Sequence, residues 1–261
     1  MAVSCFVKPV PLTVESAGSQ ATNGPTVNLL NDLPDMVWRT NGVTTSDIVL
    51  TVPAGTVIDC FALLYSNLRS TDLVRVRAAN SVTATTNAPL YDSRNQPAFS
   101  GEKSDVFKTK TIIFPPDVTA THWRITVTAN NHPDGFIQAS RVVIGKSVNT
   151  THDMDYSCKQ FSRNQSIVTE GAGWEAVEHY DALPGWTAKF SYIPMEVWDK
   201  TFFPFLHSVS NSKPVLFVPV PDEPETWQHE VVFGRLKAEP GGDCDHYDGW
   251  RTELTIVGIA S

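Results

Sequence analysis

The chain has 261 residues, 41% of them hydrophobic and 18% charged, and carries a net charge of −8. A chain of this length buries a sizeable core without disulfides, and its apolar content excludes a mainly disordered polypeptide. No run reaches the roughly 18 apolar residues of a membrane-spanning helix, and the 20 basic side chains gather into no stripe that would follow a phosphate backbone. Neither membrane insertion nor nucleic-acid binding is therefore expected. An average domain is about 25% charged; here 29 Val and 26 Thr stand out instead. Those residues suit β-strands, and the low charge implies a surface that is neutral or partly covered by neighbours.

Residues 1–35 alternate short apolar runs with Pro, Gly, Ser and Asn, which predicts an extended N-terminal arm. The first residues lack the charged and continuous apolar regions of a secretory signal and read as a mature N-terminus. On that reading the sequons at Asn149 and Asn164 carry no sugar. From Met36 the pattern changes to short segments bounded by turn residues, at 48–52, 57–65, 73–79, 111–114, 123–128 and 136–144, the spacing of an all-β sandwich over 36–147. Val74 and Val76 alternate with Arg75 and Arg77, and Trp123, Ile125 and Val127 alternate with Arg124 and Thr126, so each strand has one inward face. Residues 58–65 are almost continuously apolar, as in a strand covered on both faces. The Thr/Ser/Asn/Asp-rich stretch 80–106 reads as long loops.

A polar segment after Gly145-Lys146-Ser147 marks a boundary, and residues 148–261 read as a second, β-rich domain. Strands are predicted at 159–167, 174–180, 186–193, 214–218, 230–236 and 250–259. In the third of these Trp186, Ala188, Phe190 and Tyr192 share one face. One helix is predicted at about 195–210, where Trp198, Phe202, Phe205 and Val209 fall at helical spacing. Pro204 removes the bond to the carbonyl of Lys200, so a kink or break is expected there.

Candidate chemistry is sparse. Asp243-Cys244-Asp245-His246-Tyr247-Asp248 offers metal-ligand types within six residues, but glycines flank it between two predicted strands, and a solvated hairpin loop is the reading preferred. No nucleophile elbow, phosphate loop or dinucleotide fingerprint occurs. Glu170, Glu175, Glu178 and Asp181 flank a predicted surface hairpin rather than an acid/base pair. Catalytic residues, metal and cofactors are all expected to be none. Cys5, Cys60, Cys158 and Cys244 are far apart with no C-x-x-C, which predicts free, buried thiols. A ligand site of stacking and hydrogen-bonding groups is possible at Trp38, Arg39, Asn67, Arg69, His132 and Asp134, if their loops converge; the alternative is that Trp38 plugs the core and the polar residues shape turns.

Met36-Val37-Trp38-Arg39-Thr40, Ala62-Leu63-Leu64-Tyr65-Ser66-Asn67-Leu68, Val74-Arg75-Val76-Arg77, His122-Trp123-Arg124-Ile125 and Pro133-Asp134-Gly135-Phe136-Ile137 through Arg141-Val142-Val143-Ile144-Gly145 occur in that order. Together they resemble the galactose-binding-like jelly-roll domains of tail-tip proteins from long-tailed, siphovirus-type bacteriophages. The second half, with Lys213-Pro214-Val215-Leu216-Phe217-Val218-Pro219 and Val232-Phe233-Gly234-Arg235-Leu236, is similar to the tube-like domain of distal tail and baseplate proteins. Pro204 and the acidic 243–248 loop depart from that pattern. The resemblance implies a mainly β structural protein of the virion: a jelly-roll β-sandwich followed by a β-rich, tail-tube-like domain with one helix. It implies a homo-oligomeric ring, threefold or sixfold, assembled in the host cytoplasm and contacting tube, hub, fibre or baseplate subunits. The alternative function is a carbohydrate-binding adhesin recognising host cell-surface glycan.

Overall fold

The alternation read in two strands is what assembles the first sheet. In the computed structural model, which describes residues 3–42, 44–105 and 107–260, the chain divides into two units. Val7–Ser147 together with Asp222–His229 form the sandwich unit. His122–Thr128 is its central strand, paired antiparallel with Thr45–Thr51 on one side and Leu73–Ala79 on the other. Ile125 lies opposite both Ile48 and Val76, so the inward residues form rows across the sheet. The outward residues form polar rows instead: Arg75 makes a bidentate pair with Asp92, at 2.9 and 2.6 Å, and holds the Asp92 carboxyl down at about 2. Thr13–Ala17 extends this sheet at the Thr45–Thr51 edge, and Tyr91–Asp92 and Gln96–Pro97 extend it beyond Leu73–Ala79.

The facing sheet has three strands, with Cys60–Ser66 between Thr109–Ile113 and Arg141–Gly145. All seven residues of Cys60–Ser66 are buried, as its unbroken apolar run requires. Phe61 and Leu63 from this sheet meet Trp123, Ile125, Val74 and Val76 from the other in one core, which Trp38 and Leu29 complete. Each such side chain contributes roughly 1.5–3 kcal/mol by leaving water. The predicted strand at 136–144 is two strands. Gln138–Ala139 pairs with Trp38–Arg39, and Arg141–Gly145 then pairs with Cys60–Ser66.

The second unit comprises Met1–Phe6, Val148–Pro221 and Glu230–Ser261. Its sheet runs Ser147–Asn149, Cys5–Val7, Val215–Val218, Val232–Leu236, Gly249–Gly258, Leu183–Pro194, Lys159–Arg163, with Asp243–His246 also paired to Gly249–Gly258. Trp198, Phe202, Phe205, Leu206 and Val209 of the helical segment 195–209 pack on Phe6, Phe190 and Phe217 of this sheet. The structure is thus mainly β, a two-sheet sandwich plus a β-rich unit with one substantial helix.

Four expectations are corrected. Residues 1–35 are not an arm: Cys5–Val7 is an interior strand of the second unit's sheet, Thr13–Ala17 is an edge strand of the sandwich, and Thr26–Leu30 is a 3-10 turn that buries Leu29. Pro204 does not break the helix. Trp198–Phe202 is a π turn in which the Phe203 N–H donates to the Trp198 carbonyl, and Pro204 falls in the first turn of Phe203–Val209, where an intrahelical donor is dispensable. A β-bulge shifts the register between Phe190 and Ile193, so Ile193 rather than Tyr192 faces the core. Cys5 and Cys60 are buried, whereas Cys158 is half-buried and Cys244 exposed, so the expectation of buried thiols fails for the latter two.

Candidate functional site

The sequence pointed to six residues, and four of them meet in one network; Trp38 and Arg39 are not bonded into it. Trp38 plugs the core. Its side chain is wholly inside the sandwich core, with the indole N–H donating to the Ser19 carbonyl at 3.1 Å, so its faces are closed to any ligand. Arg39, its neighbour in the strand, points the other way, lays its guanidinium over the Phe136 ring at 3.7 Å, and donates to Gln138 Oε1 at 3.3 Å.

Asn67, Arg69, His132 and Asp134 form a network between the loops after Cys60–Ser66 and His122–Thr128. The Asn67 amide donates to Asp134 Oδ2 at 2.8 Å and to the Phe136 carbonyl at 3.1 Å, while its Oδ1 accepts from the Gln138 N–H at 2.9 Å. Arg69 grips Asp72 with two bonds, at 3.2 and 2.7 Å, and caps the carbonyls of Asn130 and Asn131. That pairing raises the Arg69 pKa above its ordinary value. The nearly buried His132 ring accepts from the Asp134 N–H at Nδ1, at 3.3 Å, which leaves Nε2 as the protonated nitrogen donating to the Asn67 carbonyl at 2.8 Å. These groups are turned on one another: they fix the positive-φ turn at Asn131 and Gly135 and hold the two loops together. Asp134, with a side chain 46% exposed, and Arg69, at 38%, are the members that still face water.

A cleft of about 270 Å³ lies elsewhere on the sandwich unit, lined by 96–100, Lys110, 112–114, Pro224 and Trp227. Its aromatic wall is Phe114 and Trp227, edge to face at 5.8 Å, with Phe99 nearby and the exposed Gln96 and Ser100 at the rim. The segment Asp222–His229 reaches this place because Gln228 imitates a strand. Its side-chain amide accepts from the Lys110 N–H at 2.9 Å and donates to the Lys110 carbonyl at 2.6 Å, across 118 residues of sequence. The Lys110 ammonium donates to the Gln228 carbonyl at 2.9 Å, and burial lowers its pKa to about 8. Gly101, at φ +73°, passes so close to Glu225 that a Cβ would lie 2.5 Å from its carbonyl oxygen, so the wall is closed by a glycine.

Sequence reasoning missed this cleft. Trp227 sits in a single helical turn, Trp227–Glu230, after a Pro-rich loop, and nothing local to it signals pairing with the strand that carries Lys110. The acidic loop is a short strand pair, Asp243–His246 with Gly249–Gly258, and Asp243 pairs with Arg251 at 3.4 Å. The side chains of Asp245 and His246 lie outside the described residues, and among the described residues no group of three His, Cys, Asp or Glu is placed to hold a metal.

No protein-family model matches the chain, and no curated protein matches it. Solved structures match over about half of it. A carbohydrate-binding module, CBM32-3, of a family 31 glycoside hydrolase from Clostridium perfringens aligns with a TM-score of 0.42 at 14% identity, over 52% of this chain and 91% of the module. The lectin domain of lectinolysin, solved with Lewis b antigen, aligns with a TM-score of 0.40 at 13% identity, over 53% and 95%. XRCC1, solved bound to the catalytic domain of DNA polymerase β, aligns with a TM-score of 0.38 at 18% identity, over 53% and 98%.

Proposed function

We propose that the protein is a non-catalytic glycan-binding protein whose sandwich unit takes a saccharide into the cleft walled by Phe114 and Trp227. The observation that carries this reading is the cleft itself: two aromatic rings beside exposed amide and hydroxyl groups, in a hollow the size of one or two sugar rings. A pyranose presents an apolar C–H face that stacks on an indole, and its equatorial hydroxyls need donors and acceptors at the rim, which Gln96 and Ser100 supply. The ligand class is therefore a neutral glycan rather than a charged cofactor. Glycan-array screening of the intact protein, followed by calorimetric titration, tests it. Trp227→Ala is expected to weaken binding about tenfold or more, since losing a stacked ring costs on the order of 1–3 kcal/mol. Asp134→Ala serves as the comparison: loss of binding there, with Trp227→Ala unaffected, would move the site to the network of Asn67, Arg69 and His132.

A second reading is the tail-tip structural subunit implied by the sequence resemblance. The hairpin of Ile167–Gly171 and Trp174–Glu178 favours it, because its apolar side chains are exposed in the single chain, as in a subunit completed by neighbours. Mass spectrometry of purified virions separates the readings: absence of the chain from the particles would sink this one and leave glycan binding standing.

A further inference from the structure

The outer face of the sandwich unit's larger sheet carries more cations than its carboxylates pair. Arg75 and Arg77 project from Leu73–Ala79 away from the core, and Arg124 projects from His122–Thr128 on the same side, because Val74, Val76, Trp123 and Ile125 between them are wholly buried. Arg124 stands directly opposite Arg77 in the strand register, a like-charge pair that by itself costs stability. Two carboxylates serve this group. Asp92 holds Arg75 through the bidentate pair described above, and Arg94 lies 3.5 Å from the same carboxylate. Asp47 takes the Arg124 Nη1 at 3.2 Å, while the Arg124 Nε donates to the buried Thr85 hydroxyl at 2.9 Å. Arg75, Arg77, Arg94 and Arg124 thus stand against Asp47 and Asp92 alone, four positive charges to two negative, on a chain whose net charge is −8.

Arg77 is the cation left over. Among the described residues it is in no ion pair, and its one hydrogen bond runs from Nη2 to Thr126 Oγ1 at 3.1 Å. The Thr126 hydroxyl gives its own proton to Asp47 Oδ1, so it ties Arg77 to a carboxylate already engaged by Arg124. The Arg77 Nε is buried without a hydrogen-bond partner, although a guanidinium has five N–H donors to satisfy. Burial, and next the charge of Arg75, lower the Arg77 pKa from its ordinary value. Arg124 beside it uses Nε and Nη1 and keeps Nη2 without a protein partner among the described residues. An arginine that merely turned to solvent would not bury its Nε. Water fills hydrogen bonds but brings no charge, and it leaves neighbouring guanidinium groups repelling one another. An oxyanion meets both demands, since its oxygens accept from a guanidinium fork in pairs.

We propose that Arg77, with Arg124 beside it, binds an oxyanion: a sulfate or phosphate group, free or carried on a saccharide. None of these residues lines the cleft of Phe114 and Trp227, so either site stands if the other fails. Calorimetric titration of the full chain in low-salt buffer, with sodium sulfate and with inorganic phosphate as probes, reads the result. Saturable binding is expected, with a Kd on the order of 1 mM for two charge-assisted contacts at a half-exposed site. Arg77→Gln is expected to weaken it about tenfold or more, and Arg77→Lys to keep only part of it, because an ammonium cannot form the fork. Asp47→Asn releases Arg124 from its competing carboxylate and is expected to tighten binding, a gain that a folding defect does not produce. Arg94→Gln, at a side chain 81% exposed and paired with Asp92, is expected to leave it unchanged. Titrations in the Trp227→Ala background separate the sources. A sulfated monosaccharide bound more tightly than free sulfate there identifies a saccharide-borne group, and equal binding identifies the free anion; both support the site. No saturable binding of sulfate or phosphate, binding unchanged in Arg77→Gln, or no gain in Asp47→Asn would overturn the proposal.

Discussion

Gln228 does for the sandwich what a neighbouring strand would do, and the fold of the cleft depends on one side chain. Both of its amide atoms meet the Lys110 main chain, and residue 110 is almost completely buried, so truncation leaves an N–H and a carbonyl with lost partners. Gln228→Ala is accordingly expected to destabilise the protein by about 2–4 kcal/mol, read as a lower urea midpoint, at 1–3 kcal/mol per unsatisfied buried group. Lys110 itself makes a prediction about pH. Its folded pKa is about 8 and its ordinary value 10.5, because burial disfavours the ammonium. Between those two values the unfolded chain binds more protons than the folded one, so stability rises with pH across this window, by about 3 kcal/mol from this group when the window has been crossed. Below pH 8 the group is charged in both states and the penalty is constant. Other groups titrate in the same range, and the difference between the unaltered protein and Lys110→Met isolates the lysine: the variant should lack this part of the rise.

At the scale of single elements, what could be read in advance followed how strictly one face was dry. Residues 73–78 and His122–Thr128 alternate without interruption because each has one face on the core, and Val74, Val76, Trp123, Ile125 and Val127 are the inward residues the pattern named. Thr13–Ala17 is an edge strand with no fully buried residue, so it leaves no period-two signal. In Leu183–Pro194 the bulge inserts one residue after Phe190, and a shift by one reverses the faces beyond it. The helix was legible from its aromatic spacing, but the π turn that admits Pro204 was not, since it depends on a single altered hydrogen bond. Close approach of strands is equally invisible locally. Gly234 sits in Val232–Leu236 where a Cβ would lie 2.1 Å from the Val257 carbonyl oxygen, which is backbone and cannot swing aside. Gly234→Ala should therefore cost roughly 1–3 kcal/mol or more, seen as a lower melting temperature. A melting temperature equal to that of the unaltered protein would mean that the two strands separate freely there.

For the whole molecule, the order of residues along the chain is not the order of its units. A linear division at residue 147 separates Phe6 from the aromatic cluster it joins with Phe190, Phe202, Phe205 and Phe217, and separates Trp227 and Gln228 from the sandwich they complete. This is why the β-rich class was readable from composition and turn spacing while the cleft was not: its two walls come from segments on either side of the second unit's sequence. The central claim remains the cleft. Calorimetric titration of the intact protein with the oligosaccharides selected on a glycan array, alongside Trp227→Ala and Asp134→Ala, tests it most directly. Saturable binding that Trp227→Ala weakens tenfold or more and Asp134→Ala leaves unchanged is the predicted result; no glycan bound, or equal binding by Trp227→Ala, would contradict it.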